Sequence, residues 1–456
     1  MLNREGIKTL KTWYYKKLRK PLLIRGARQV GKTTLVRMFT EMENIKLIEI
    51  NCEKPWSFIP LIKNLDPVEV IEAIEFELNI TINPEKSLIF FDEVQSIPSV
   101  LKLLRYFYEE VPEYKIVTTG SLLEFVLDEP EFSVPVGRLE LMYLGAFSFE
   151  EFLLANGEKS AFHFIQSYKI GDAIAKNYHK KLTQLLRTYI AVGGMPEVVN
   201  AYINRQSIIE LERIKSSILD TFKLDFHKYK KNTNPKLLSI IFDSLPIQIG
   251  KKIKYSNINR SYKSNDISKS LYQLYLARIV TKVFNTSCNG IPLSAERKEN
   301  FFKCFLLDIG LIHTQLKLNP FEIRETAELN YINNGVLSEQ LIAQQLNFQR
   351  QDFQEPELYY WAREKKAASA EVDFVIADSK RRIIPIEVKS GSTGSMRSLQ
   401  IMVFEKSLCH AVRFNSEPPS IFHEERRTIL GDAKYNLYSL PHYLSGQVVR
   451  LMNELD

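Results

Sequence analysis

Gly26, Gly31, Lys32 and Thr33 stand at the spacing that folds a backbone around phosphate. The stretch reads Arg25-Gly26-Ala27-Arg28-Gln29-Val30-Gly31-Lys32-Thr33-Thr34, after the apolar run Leu22-Leu23-Ile24 and before Leu35-Val36. Strand, glycine-bounded loop and helix start are what a phosphate site needs, because loop N–H groups and the helix N-terminus then face the anion. Gly26, Ala27, Arg28, Gln29, Val30, Gly31, Lys32, Thr33 and Thr34 are therefore the candidate ATP-binding residues, with Lys32 reaching the terminal phosphates and Thr33 holding Mg²⁺. Further along, Leu88-Ile89-Phe90-Phe91-Asp92-Glu93 is a buried-strand pattern ending in two acids. Asp92 is expected as the second Mg²⁺ ligand and Glu93 as the general base that polarises water. Thr119, at the tip of the strand Lys115–Thr119, is the candidate for orienting that water, with Ser121 as the alternative. Arg138, following Gly137, is open between an arginine that stabilises the transition state, often across a subunit interface, and an ordinary strand arginine.

A second constellation lies in the last third. In Ala370–Ala377, alternation puts Val372, Phe374 and Ile376 on one face and Glu371 and Asp373 on the other. In Ile383–Lys389 it puts Glu387 and Lys389 opposite Ile384, Ile386 and Val388. Asp373, Glu387 and Lys389 can thus converge on one side of a hairpin. Asp373 and Glu387 suit a hard cation such as Mg²⁺, with Glu339, on an upstream helix, as a third acid, while Lys389 suits the charge of a transition state. The arrangement resembles the PD-(D/E)xK nuclease core, with Val372 where that pattern usually has proline. Gln400 is a further candidate, and a salt-bridged surface hairpin is the plain alternative.

The elements that must position these residues read as strands alternating with helices up to about residue 150, which implies a parallel sheet with its ligand at the carboxyl ends of the strands. Helical patterns fill 151–220. Two short helices and a hairpin (Arg278–Val283 with Phe301–Asp308) follow, a winged-helix order. Between Lys223 and Lys263 ten Lys or Arg face only Asp225 and Asp243, an excess that matches the whole chain's net +7 and suits phosphate-backbone contacts with DNA. A solvated lysine-rich face or a protein-contact module is the alternative. No apolar run approaches the ~18 residues of a membrane span, and the opening residues lack a signal-peptide core. The expected location is cytoplasmic. Four cysteines without a C-x-x-C pair imply neither zinc nor a disulfide framework.

Together, Arg25–Leu35, Phe91-Asp92-Glu93-Val94-Gln95, Thr119-Gly120-Ser121, Val136-Gly137-Arg138 and Phe147–Leu153 resemble the bacterial and archaeal AAA-type ATPases that carry a C-terminal DUF4143 domain. Ala27 departs from the proline those proteins often have, which leaves phosphate binding unaffected. The expected fold is α/β: a P-loop NTPase core with a parallel sheet (1–150), a helical lid (151–220), a winged-helix-like basic module (221–330), a PD-(D/E)xK nuclease-like domain (331–415) and a C-terminal tail (416–456). The expected function is Mg²⁺-dependent ATP hydrolysis coupled to a DNA-binding half, with DNA cleavage as an extension. One alternative is a nucleotide-controlled signalling or scaffold switch with an inactive nuclease fold, acting on a protein partner or a second copy of the chain. Another is a small-molecule nucleotide kinase.

Overall fold

The structure is a computed structural model that describes residues 4–121, 125, 137–229, 233–318, 334–349, 352–363, 369–391 and 395–455. Val136, Lys230 and Lys231 lie outside the described residues.

Five parallel strands form the first sheet: β1 (Leu22–Arg25), β2 (Lys46–Asn51), β3 (Ser87–Asp92), β4 (Ile116–Thr119) and β5 (Glu140–Tyr143), in the order β2-β3-β4-β1-β5. Period-two alternation divides their side chains between two cores. Leu22, Ile24, Leu88 and Phe90 face α1 (Gly6–Tyr15) and α2 (Lys32–Met42), meeting Leu10, Trp13, Val36 and Phe39. Leu23, Ile89 and Phe91 turn to the other face, onto α3 (Pro67–Leu78) and α4 (Ser99–Glu110). Asp66 caps α3 by accepting from Val68 N and Glu69 N, with Pro67 in the first turn where its missing N–H costs nothing. Because β1, β3 and β4 are neighbours, their carboxyl ends bring Gly26, Asp92 and Thr119 to one edge.

The helices that follow are α5 (Phe149–Ala155), α6 (Lys159–Ser167), α7 (Lys176–Val192), α8 (Pro196–Ile203) and α9 (Ile208–Asp225). A capping box at Ser148 and Glu151 starts α5. Then come α10 (Pro235–Gln248), α11 (Tyr255–Ile258) and α12 (Ser264–Leu276), the hairpin β6 (Val280–Thr286) and β7 (Arg297–Leu306), and α13 (Ile309–Gln315). The helix–helix–hairpin order matches the expectation, but the hairpin is no free wing. β6 also pairs in parallel with β8 (Leu358–Arg363), so the hairpin is the edge of an eight-stranded mixed sheet, in the order β12-β13-β11-β10-β9-β8-β6-β7. The remaining strands are β9 (Ala370–Ala377), β10 (Ile383–Val388), β11 (His410–Asn415), β12 (Ser420–Arg427) and β13 (Asp432–Pro441), with α14 (Asn334–Asn347), α15 (Arg397–Lys406) and α16 (Val448–Asn453) beside them.

The expected boundaries at 330/331 and 415/416 therefore both cut through this sheet. The segment expected as a tail supplies β13, which lies between β12 and β11. Its alternating Ala433, Tyr435 and Leu437 are buried. One hydrophobic core runs from Phe149 and Tyr189 through Leu271, Val283 and Ile342 to Val372, Ile386 and Leu451, so the expected lid, basic module and nuclease-like domain share a single interior.

Candidate functional sites

The phosphate loop is held in shape by contacts on every side. Gly31 has φ 88° and caps α2, a left-handed conformation that glycine adopts without strain. At Gly26 an added Cβ would lie 2.2 Å from the Leu144 carbonyl oxygen, so the loop packs directly on backbone. Lys32 Nζ donates to the carbonyls of Gly26 (2.9 Å) and Ala27 (2.8 Å), holding its ammonium inside the loop. Ala27 and Val30 are buried beneath it, while Thr34 is exposed on the outer face of α2. The side-chain oxygen of Gln29, Oε1, is buried without a partner, an acceptor that a bound group would satisfy.

The acids meet this loop. Thr33 Oγ1 donates to Asp92 Oδ2 at 2.8 Å, and Thr119 Oγ1 donates to Asp92 Oδ1. Thr119, expected to orient a water, is bonded here to the carboxylate expected to hold Mg²⁺. Ser121 serves the neighbouring acid: its Oγ donates to Glu93 Oε2 at 2.9 Å, and Gln95 Nε2 donates to the same oxygen at 2.6 Å. Burial raises the Glu93 pKa, but the bonds from Gln95 and Ser121 and the Lys32 charge outweigh it and hold the carboxyl below its ordinary value. A hydroxyl and a carboxylate in contact are hard oxygen donors, so Thr33 and Asp92 fit Mg²⁺. Arg138 does not join them. It precedes β5, at the amino end of the parallel sheet, and pairs with Glu109 at 2.7 Å, so it has no place at this chain's own phosphate loop.

Three contacts escaped the sequence. Arg4, buried at the start of α1, donates to the loop carbonyl of Val30 (3.1 Å) and to Gly145 O (2.9 Å), and pairs with Glu151 (3.1 Å). Arg28 reaches out of the loop to the buried carboxylate of Asp225 at the end of α9. Pro196, opening α8, lies against Gly31: an added Cβ there would sit 3.4 Å from its Cγ. Each pairs residues far apart in the chain, and no local pattern announces them. A cavity of about 400 Å³ lies behind the loop, lined by Arg4, Gly26, Tyr143, Arg278 and Phe348, and by none of Lys32, Thr33, Asp92 and Glu93.

In the second sheet, Asp373, Glu387 and Lys389 come together as the alternation predicts, and Glu339 of α14 lies beside them. Asp373 Oδ2 accepts from Val388 N at 2.8 Å, and Lys389 Nζ donates to Glu387 Oε1 at 2.7 Å. Gln400 stays out, bonded to Tyr435. The addition is Lys303, on β7 and 1% exposed. Its Nζ lies 2.8 Å from Glu371, 3.7 Å from Glu339 and 3.8 Å from Asp373. Glu339 Oε2 and Glu387 Oε2 are buried without hydrogen-bond partners, but an ammonium already sits among these acids. Among the described residues no three His, Cys, Asp or Glu are grouped to hold a metal ion. Mg²⁺ as expected at Asp373, Glu387 and Glu339 does not fit.

Burial first, then the Asp373 charge, raise the Glu339 pKa to about 7 and the Glu387 pKa to about 8. Folding thus favours the protonated carboxyls. Their stabilisation is complete below the unfolded value near 4.5 and is lost as pH rises through 7–8. The thermal midpoint should fall between pH 6 and pH 9, and fall less in Glu387→Gln. A midpoint in that variant as steep in pH as the parent's would contradict this.

The parallel sheet, its loop and its acids define a P-loop nucleotide-binding core. Residues 18–153 match the model of an AAA domain, 183–322 that of a domain of unknown function (DUF8612), and 334–434 that of a domain of unknown function (DUF4143). The chain thus carries an AAA domain and a DUF4143 domain. No curated protein matches it. Similar solved structures include the Orc1 protein of Aeropyrum pernix in complex with DNA (14% identity, 71% of this chain, 93% of that chain, TM-score 0.30). Others are the RuvB Holliday junction branch migration motor of Thermotoga maritima (14%, 62%, 90%, 0.28) and a mutant of that motor (13%, 62%, 91%, 0.31).

Proposed function

We propose that the chain is a Mg²⁺-dependent ATPase whose nucleotide state is passed to a DNA-binding half. The observation that carries the reading is the contact of Thr33 with Asp92, beside Lys32 and the ionised Glu93. Mg²⁺, held by Thr33 and Asp92, would supply charge stabilisation on the phosphates. Lys32 binds the phosphates, and Glu93 takes the proton of the attacking water while Ser121 and Gln95 hold its carboxylate in place. Arg28 meets Asp225 of α9 and Gly31 meets Pro196 of α8, which gives the loop a route to helices beyond the first sheet.

Exposed cations support the DNA half. Some of the basic segment is engaged: Lys223 pairs with Asp243, Lys228 with Asp225 and Lys252 with Glu371. Lys254, Arg260 and Lys263 remain exposed before and at the start of α12, with Lys269 one turn into it. Full-length protein should bind duplex DNA with strong salt dependence. The double change Lys263→Glu and Lys269→Glu should weaken binding across sequences and lower the salt slope by about 1 per lost phosphate contact. No duplex binding at low salt would remove DNA from the reading. Cleavage by Asp373, Glu387 and Lys389 is not proposed, because the metal it needs does not fit. That misfit favours the second reading, a nucleotide-controlled switch with an inactive nuclease-like sheet, which predicts ATP turnover without DNA binding.

A further inference from the structure

The acids of the second sheet converge on a cation that the chain itself provides. Lys303 enters from β7, the edge hairpin, and meets Glu371 and Asp373 of β9 and Glu339 of α14. Its ammonium also lies 5.2 Å from the centroid of the Tyr360 ring on β8, whose π-face favours a positive charge. Three carboxylates and one π-face thus surround the ammonium, and such partners keep a buried lysine charged. Burial lowers the Lys303 pKa, but Glu339, Asp373 and Glu371 together raise it above its ordinary value. The backbone reinforces the placement: Lys252 bridges to Lys303 between the strands, and Gly250 packs on the Glu339 carboxylate, where an added Cβ would lie 2.6 Å from Oε2.

A divalent cation binds through oxygens at about 2.0–2.6 Å. It would draw on the carboxylates that Lys303 engages, and it would stand beside a fixed positive charge. We propose that the Lys303 ammonium is the resident cation of this cluster, taking the place of a divalent metal and tying the β6–β7 hairpin to β9 and α14. The acids that suggest metal chemistry in the sequence are then a lock between the hairpin edge and the interior of the sheet.

The probe is Mn²⁺, measured by electron paramagnetic resonance on nucleotide-free, full-length protein. Wild type and Asp373→Asn should bind equal amounts, and Mn²⁺ should not raise the wild-type thermal midpoint beyond an ionic-strength control. Lys303→Met keeps the length of the side chain and removes the charge. It should acquire Mn²⁺ binding at least about tenfold tighter than wild type, with a midpoint that Mn²⁺ partly restores. One Mn²⁺ bound by wild type and lost in Asp373→Asn would overturn the proposal, as would a folded Lys303→Met that gains none. Should Lys303→Met fail to fold, the comparison of wild type with Asp373→Asn decides alone. ATP turnover in Lys303→Met reads the first sheet separately, so failure of this proposal is distinct from failure of the ATPase reading.

Discussion

Lys32→Ala should lower ATP turnover by about 10³-fold, near 4 kcal/mol of transition-state stabilisation, and weaken ATP binding. The lysine is the cation inside the loop, and its Nζ already lies within 2.9 Å of two loop carbonyls. Its loss therefore removes charge where phosphates would sit and leaves Gly26 O and Ala27 O without this donor. Glu93→Gln should separate binding from chemistry. The amide has nearly the same shape, and its carbonyl oxygen can still accept from Ser121 and Gln95, so ATP should bind almost as before. Without a base, turnover should fall by about 10²–10⁴-fold. Equilibrium binding of a fluorescent ATP analogue, beside steady-state phosphate release, reads both. Unchanged binding and turnover in Lys32→Ala would end the nucleotide assignment. Unchanged turnover in Glu93→Gln would move the base elsewhere.

The nucleotide core was legible because its chemistry is local. Gly26 to Thr33 carry loop and helix start within one stretch, and Leu88 to Glu93 carry strand and acids within another. Alternation also placed Glu371 and Asp373 on one face of β9, and both touch Lys303. Lys303 itself was hidden. Phe301–Asp308 reads as one strand of a hairpin, with nothing local that marks Lys303 as buried, and its partners lie on elements far along the chain. The same limit applies to Arg4 and Arg28. Boundaries failed for a related reason: the parallel pairing of β6 with β8, and the place of β13 beside β11, are long-range choices that no turn or composition shift records. For Arg138, left open in the sequence, the position just before β5 and the pair with Glu109 agree with an ordinary surface arginine within this chain.

Asp308→Ala, far along the chain from the phosphate loop, should damage both folding and ATP binding. Asp308 is fully buried and caps α13 by accepting from Leu311 N at 3.2 Å. Its other oxygen accepts from Gly194 N at 2.6 Å and from Gln344 Nε2 at 3.2 Å. The fit is close, since an added Cβ at Gly193 would lie 2.3 Å from Asp308 Oδ1. Alanine leaves the Gly194 and Leu311 N–H groups buried without an acceptor, at about 1–3 kcal/mol each before relaxation, while Gln344 Nε2 keeps its bond to the Tyr189 hydroxyl, so a loss of about 3 kcal/mol is expected. Asp308→Asn, which keeps one acceptor oxygen, should cost less. The consequence for ATP follows from position. Gly194 O accepts from Phe147 N at 2.7 Å, and two residues after Gly194 comes Pro196, the residue against Gly31 of the loop. A turn that loses its anchor at Asp308 no longer holds Pro196 against Gly31, so ATP affinity should fall about tenfold at a temperature where the variant is still folded. A lower thermal midpoint with unchanged ATP affinity would show that Asp308 only stabilises the shared core. A fall in both would show that the region 183–322 helps to set the shape of the phosphate loop, with the Gly193-Gly194 turn as the joint between them.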